Sequence, residues 1–178
     1  DPQDEVSFQV IIRKENIIPQ EGKDTFVHFL ILLRRIHSIP IGLFHQDLKG
    51  VNFLLANLDK VNFFGSDLSD ADLSGAILLW TDLRRVNFKN AKLLLTYLNE
   101  ANLIGANFYN AELGGANFSD ANLSMANLGK ANLNVEVWGC TNFENANLKN
   151  VKGLKTAIGL EKANFKGTIY EGKFSKEK

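Results

Sequence analysis

Charge of one sign is what this sequence lacks. Its 20 Lys and Arg are matched by 20 Asp and Glu, so the formal net charge is +0 and the pI is near 7.0. A protein that grips nucleic acid usually carries a basic stripe, and one that imitates nucleic acid needs a dense acidic field; the balance argues against both. Long hydrophobic runs are missing too. The longest, Phe26 to Leu33, is interrupted by His28 and falls well short of the roughly 18 apolar residues of a membrane-spanning helix. Cysteine is reduced to Cys140, which excludes an internal disulfide and leaves the redox compartment unreadable.

Catalytic signatures are also absent from the sequence. His28, His37 and His45 have no metal-ligand spacing, and no cysteine cluster joins them. There is no Gly-rich phosphate loop and no nucleophile elbow. Cys140 has no base positioned by sequence and reads as an inert or surface thiol. The Asp and Asn residues form no calcium loop and are explained as turn formers. Asn117-Phe118-Ser119 and Asn122-Leu123-Ser124 match a glycosylation sequon only because the repeat described next generates it. The expectation is a protein that is not an enzyme, with no cofactor, no metal and no small-molecule substrate.

What is present is a period of five. Stepping by five from Leu43 reaches Leu48, Phe53, Leu58 and onward to Phe143 and Leu148; each step lands on Leu or Phe except at Trp138. Two residues before each stands a small residue, Ala in most repeats, and between them Asn or Asp, as in Ala101-Asn102-Leu103 and Ala131-Asn132-Leu133. Five residues overshoot a helical turn by about 140°, so a helix would spread these leucines over every side. On a flat strand an odd period flips them between faces. Only a chain that turns after every pentad and coils about an axis keeps them all inside. The inward alanine must then be small because the coil is narrow, and Asn and Asp fall near the turns, where they bond local amides.

This A-(D/N)-L-x-x pattern resembles the pentapeptide-repeat family over residues 41–152. The resemblance implies an all-β fold, a right-handed, four-sided parallel β-helix solenoid with twenty residues per coil. Residues 41–152 then make roughly five to six coils, a rod about 27 Å long at the ~4.8 Å spacing of stacked strands. The family is abundant in cyanobacteria, which implies a bacterial source.

Three segments follow: an N-terminal arm and capping helix over 1–40, the β-helix over 41–152, and a phase-shifted C-terminal cap and tail over 153–178. Asp24 is placed to cap a helix that runs to about His37, with Phe26, Phe29, Leu30, Leu33 and Ile36 on one face, Arg34, Arg35 and His37 at its end, and Pro40 as its stop. A solenoid end exposes core and strand edges, so a short α-helical cap over 24–39 is expected; the alternative is a docking helix to an upstream domain. Upstream, Val6-Phe8-Val10-Ile12 alternates like a strand, with Ile17-Ile18-Pro19 as its return. Past Leu148 the repeat slips phase and resumes at Ala163-Asn164-Phe165 and Thr168-Ile169-Tyr170; the insert, Leu154 to Lys162, is expected to form a helical turn or two. Glu136 stands at an inward position before Trp138. It either swings out through a local distortion or forms a notch with a raised carboxyl pKa.

The outward positions are mostly polar. The exceptions are Leu54, Leu55, Ile77, Leu79, Trp80, Leu94, Leu95 and Tyr97. At twenty residues per coil these eight converge around one edge of the rod. Such a patch reads as a protein-interaction surface anchored by Trp80 and Tyr97, as ground covered by the arm Val6–Ile18, or as a homodimer contact. The leading expectation is a non-enzymatic scaffold, monomer or weak dimer, that binds a protein partner the residues do not name. Some pentapeptide-repeat proteins mimic DNA and act on DNA gyrase through strongly acidic faces. Here eleven acidic residues over 41–152, among them Asp67, Asp82 and Glu112, face nine basic ones, among them Arg84, Arg85 and Lys92, which disfavours that alternative. A further alternative is the repeat module of a larger signalling protein, since the chain starts at Asp1 rather than Met. The reading favours the cytoplasm; a signal peptide removed before Asp1 would instead place the protein in a periplasm or a thylakoid lumen.

Overall fold

The computed structural model describes residues 10–11, 41–134, 141–150, 154–156, 163–166 and 168–169. Through the repeats the chain turns every five residues, and each pentad ends on a residue at positive φ, as at Leu55 (57°), Lys60 (59°), Gly65 (68°) and Asp70 (59°). That residue is third in a four-residue turn closed by the next amide: Ala56 donates to the Phe53 carbonyl at 3.0 Å and Ala76 to that of Leu73 at 2.9 Å. β-branched side chains fit the left-handed region worst, and among the described positions of this kind there is none. A second brace comes from the Asn or Asp that most pentads carry. Its side-chain oxygen accepts the amide two residues on, as from Leu54 to Asn52 (2.9 Å), Phe64 to Asn62 (2.9 Å) and Gly129 to Asn127 (3.0 Å).

Successive coils pair in parallel at a separation of twenty residues, one pair per pentad, giving four ladders and therefore four faces. They run Gly42-Asn62-Asp82-Asn102-Asn122, Asp47-Asp67-Asn87-Asn107-Asn127, Asn52-Asp72-Lys92-Glu112-Asn132 and Asn57-Ile77-Tyr97-Asn117. The four-sidedness implied by the family resemblance is thus a matter of register. Inside, the Leu, Phe and small residues form one continuous core along the axis, fully buried from Phe63 to Leu133. Phenylalanines stack face to face where they fall on the same side in consecutive coils: Phe88 on Phe108 at 4.9 Å, Phe118 on Phe143 at 5.0 Å and Phe143 on Phe165 at 5.2 Å. Where the inward small residue is Thr or Ser its hydroxyl donates to a carbonyl of the core ladder, Thr81 to Leu78, Thr96 to Leu73 and Ser66 to Leu43. Among the described residues no buried side-chain polar atom lacks a hydrogen-bond partner.

The unbroken five-residue step through Trp138 does not survive in the register. It would pair Asn117 with Val137; the observed partner is Asn142, and Asn122 pairs with Asn147. The inward place after the Leu133 turn belongs to Thr141, whose hydroxyl donates to the carbonyls of both Leu133 and Leu113. Glu136 and Trp138 themselves lie outside the described residues. A second, shorter offset follows. Asn142 pairs with Asn164 and Asn147 with Ile169, each at a separation of 22 residues, and Leu154–Thr156 forms a 3-10 turn that buries Leu154.

At the other end a strand β1, Val10–Ile11, pairs in parallel with β2, Ile41–Gly42, while Gly42 also pairs with Asn62 in the next coil. The alternating arm therefore contributes at least Val10–Ile11 to the open edge of the first coil. The expected helix over 24–39, the return at Ile17-Ile18-Pro19 and the tail lie outside the described residues.

Candidate functional site

The eight outward apolar residues do not converge around one edge of the rod as expected: they spread over one face and both of its bordering edges, because the Leu54-Leu55 and Leu94-Leu95 turns precede the Ile77-Tyr97 ladder and the Leu79-Trp80 turn follows it. Ile77 and Tyr97 pair with each other at the centre of the Asn57-Ile77-Tyr97-Asn117 ladder. One edge, formed by the turns that enter this face, carries Leu54-Leu55, Ser74-Gly75, Leu94-Leu95 and Gly114-Gly115 in successive coils. Backbone bonds hold them in line: Leu55 to Ser74, Gly75 to Leu94 and Leu95 to Gly114, at 2.9, 2.8 and 3.0 Å. The other edge carries Asp59-Lys60, Leu79-Trp80, Asn99-Glu100 and Ser119-Asp120, joined likewise from Lys60 to Leu79 and from Glu100 to Ser119.

Six of the eight are well exposed, from Leu94 at 36% to Leu55 at 74%, with Trp80 and Tyr97 about half exposed; Ile77 and Leu79 are half-buried. The side chain of Leu55 lies against the next coil, where a Cβ built on Gly75 would meet its Cδ2 at 2.6 Å. Gly75, at a φ of 64°, is thus the floor on which that leucine rests. Lys60 extends over the Trp80 indole with Nζ 5.7 Å from the ring centroid, shielding one side of the ring.

The other faces are dressed differently. Asn107 and Asn127 donate in turn to Asn87 and Asn107, and Asn87 to Asp67, a ladder of side-chain amides running parallel to the rod. Lys92 lies between Asp72 and Glu112. Arg84 grips Asp82 through two bonds of 2.8 and 2.7 Å, which holds that carboxyl below its ordinary value, and its guanidinium covers the ring of Phe64. Asp70 is lowered by the hydrogen bond from Asn90 and then by Lys49. Well-exposed large apolar residues that the eight do not include are Met125, on the edge that carries Arg85 and Gly105, and Ile169, paired with Asn147; Phe44, Phe64, Ile104 and Tyr109 also point outward but are half-buried. Neither Met125 nor Ile169 belongs to the Tyr97 face. Met125 was legible as an apolar residue in a turn position; Ile169 falls in the phase-shifted repeats.

Among the described residues no group of three or more His, Cys, Asp or Glu is placed to hold a metal ion. His45 is exposed and packs edge-on against Phe64 at 5.1 Å; His28, His37 and Cys140 lie outside the described residues. No helix among the described residues is long and apolar enough to cross a membrane.

Comparison with known proteins places this architecture. No protein with a curated description matches the chain. Among solved structures, HetL, a pentapeptide repeat protein involved in heterocyst differentiation regulation from the cyanobacterium Nostoc sp. strain PCC 7120, is 26% identical. It aligns over 75% of this chain and 68% of its own, with a TM-score of 0.53. QnrB1, a plasmid-mediated fluoroquinolone resistance protein, is 20% identical over 72% of this chain and 76% of its own, with a TM-score of 0.51, a likeness of fold alone. The model of the pentapeptide repeats matches in eight copies that run from residue 43 to residue 134. That span is more than half of the chain, and its pentads are those that build the four ladders: this protein belongs to the pentapeptide-repeat family.

Proposed function

We propose that this protein is a non-enzymatic scaffold, a right-handed solenoid that offers its Tyr97 face and the two bordering edges to another protein. The observation that carries the reading is the segregation of side chains. Leu54, Leu55, Trp80, Leu94, Leu95 and Tyr97 stand exposed together, while the other faces carry amide ladders and paired charges. Apolar side chains gathered on one side of a rod cost solubility unless something covers them. Aromatic anchors beside leucines on a rigid backbone are the composition of an interface centre. A solenoid suits this role because each outward position can vary without disturbing the core.

The test is capture of a partner from lysate of the source organism on the immobilised chain, beside a Trp80→Ser, Leu94→Ser, Leu95→Ser variant shown by circular dichroism to be folded. A partner held by the native chain and lost by the variant supports the reading. Equal retention by both chains refutes this face. Action on gyrase by DNA mimicry is a weaker reading, because the acidic groups Asp70 and Asp82 are paired with Lys49 and Arg84 rather than massed. Unaltered supercoiling by gyrase in excess protein would dismiss it.

A further inference from the structure

We infer that the partner on the Tyr97 face is a second copy of this chain, docked antiparallel about a dyad that passes between Ile77 and Tyr97, perpendicular to the rod. The inference rests on the reading of that face as an interaction surface and names its occupant. Along one edge large and small residues alternate coil by coil: Leu54-Leu55, Ser74-Gly75, Leu94-Leu95, Gly114-Gly115. A dyad midway along these four coils sets the first level against the fourth and the second against the third. Leu54 and Leu55 then meet Gly114 and Gly115 of the second copy, and Leu94 and Leu95 meet Ser74 and Gly75, beside which the Leu55 side chain lies. Ile77 meets Tyr97. A dyad on any one coil would instead set like against like along this edge, leucines on leucines and glycines on glycines.

Charge obeys the same operation. On the other edge Lys60 stands at the first level and Asp120 at the fourth, both exposed, so the dyad creates two Lys60–Asp120 pairs, one at each end of the contact. Such a contact is isologous, each residue meeting its complement twice, and closes at two copies. The four coils span about 19 Å at ~4.8 Å per coil. That places the contact at the small end of specific interfaces, below the roughly 800 Å² per partner of a standard one. The two Glu100 side chains reach the rim on adjacent levels and repel across it. The dimer is therefore weak, dissociating in the micromolar range.

Sedimentation velocity from about 2 to about 500 µM brackets that range. The native chain is expected to pass from monomer to dimer. Lys60→Glu and Asp120→Lys each set like charges at both ends of the contact and are expected to weaken self-association at least tenfold. Both substitutions put at a turn a residue type that this position already holds, in Glu100 and Lys130 at φ of 58° and 57°, so the fold tolerates them. The two variants mixed are expected to form a heterodimer as tight as the native dimer, because each copy then restores the other's pairs. A native chain that stays monomeric throughout, variants that dimerise like the native chain, or a mixture that remains monomeric overturns the inference. If the chain is monomeric while Trp80→Ser, Leu94→Ser, Leu95→Ser still abolishes capture of a foreign protein, the second copy fails as occupant and the interaction face stands.

Discussion

Thr141 donates its hydroxyl to the carbonyl of Leu133, eight residues back, across 2.9 Å. Thr81 makes the corresponding bond to Leu78, three residues back. The two threonines do the same structural work, and the difference of five residues is the offset in register between Leu133 and Thr141. The Thr141 proton is also shared with the carbonyl of Leu113 in the coil before, and the residue is fully buried. Thr141→Val keeps the shape and takes one donor from each carbonyl, of which that of Leu113 keeps the Ala116 amide at 3.0 Å. It is expected to cost about 1–3 kcal/mol in urea unfolding, and more than Thr81→Val, which affects one carbonyl. A Thr141→Val variant as stable as the native chain would show that the hydroxyl is not what closes the coil.

If the ladder does pass from Leu133 to Thr141, one pentad can be removed without loss. Deleting residues 136–140 together with Val135→Gly joins Leu133-Asn134 to Thr141 through a single glycine, placed where the turn needs positive φ. Asn117 keeps its pairing with Asn142, now twenty residues away as in the other coils. The far-ultraviolet spectrum is expected to match that of the native chain, and the melting midpoint to stay within about 4 °C, the change that roughly 1 kcal/mol would cause in a chain of this length. A fall of about 10 °C or more would mean that the deleted pentad packs into the rod.

The same pentad shows where the sequence stops being legible. Leu at the centre, Ala two before and Asn between carry the five-residue turn in their size and hydrogen-bonding capacity, so the inner ladder and the grouping of Ile77 with Tyr97 could be read without coordinates. What the period does not encode is how many pentads complete a given coil. Val137-Trp138 keeps the spacing and the hydrophobicity of a regular step, and only the pairing of Asn117 with Asn142 shows that the register does not follow it. The offset of two residues before Asn164 was visible, because it breaks the period instead of preserving it. The apolar residues at outward positions were legible as a set, but the alternation of Leu94-Leu95 with Gly114-Gly115 acquires meaning only once the coils are stacked.

Acid should loosen the rod through two carboxylates. Asp82, bonded twice to Arg84, and Asp70, bonded to Asn90 and Lys49, both have folded pKa values below those of the unfolded chain. A depressed carboxyl contributes stability that is present above its unfolded pKa, about 3.9 for Asp, and is lost as pH falls through the folded value. The melting temperature is therefore expected to hold from pH 7 to about 5 and to fall below about 4. In an Asp70→Asn, Asp82→Asn variant the fall should be shallower, and at neutral pH the variant should be slightly less stable than the native chain. Parallel slopes for the two proteins between about pH 5 and 2 would show that these pairs do not set the acid limb.

Phe143 tests whether the offset coils are held by the same core as the regular ones. It is fully buried and stacked between Phe118 and Phe165, with both interplanar angles at 7°, although the chain makes an offset on either side of it. Phe143→Ala removes the middle ring of that stack and should cost about 3–5 kcal/mol locally. In a solenoid each coil contacts only its neighbours, so the loss should stay near its origin. Hydrogen exchange is expected to lose protection at Asn164 and Ile169, whose amides bond to Thr141 and Ala146, and at Phe118, whose amide bonds to Asn142. The amides of Leu68, Phe88 and Leu93, which bond within the regular coils, should keep theirs. Equal loss at both sets would mean that the rod unfolds as one cooperative unit, and the ring stack would then be a support for every coil rather than for the last ones.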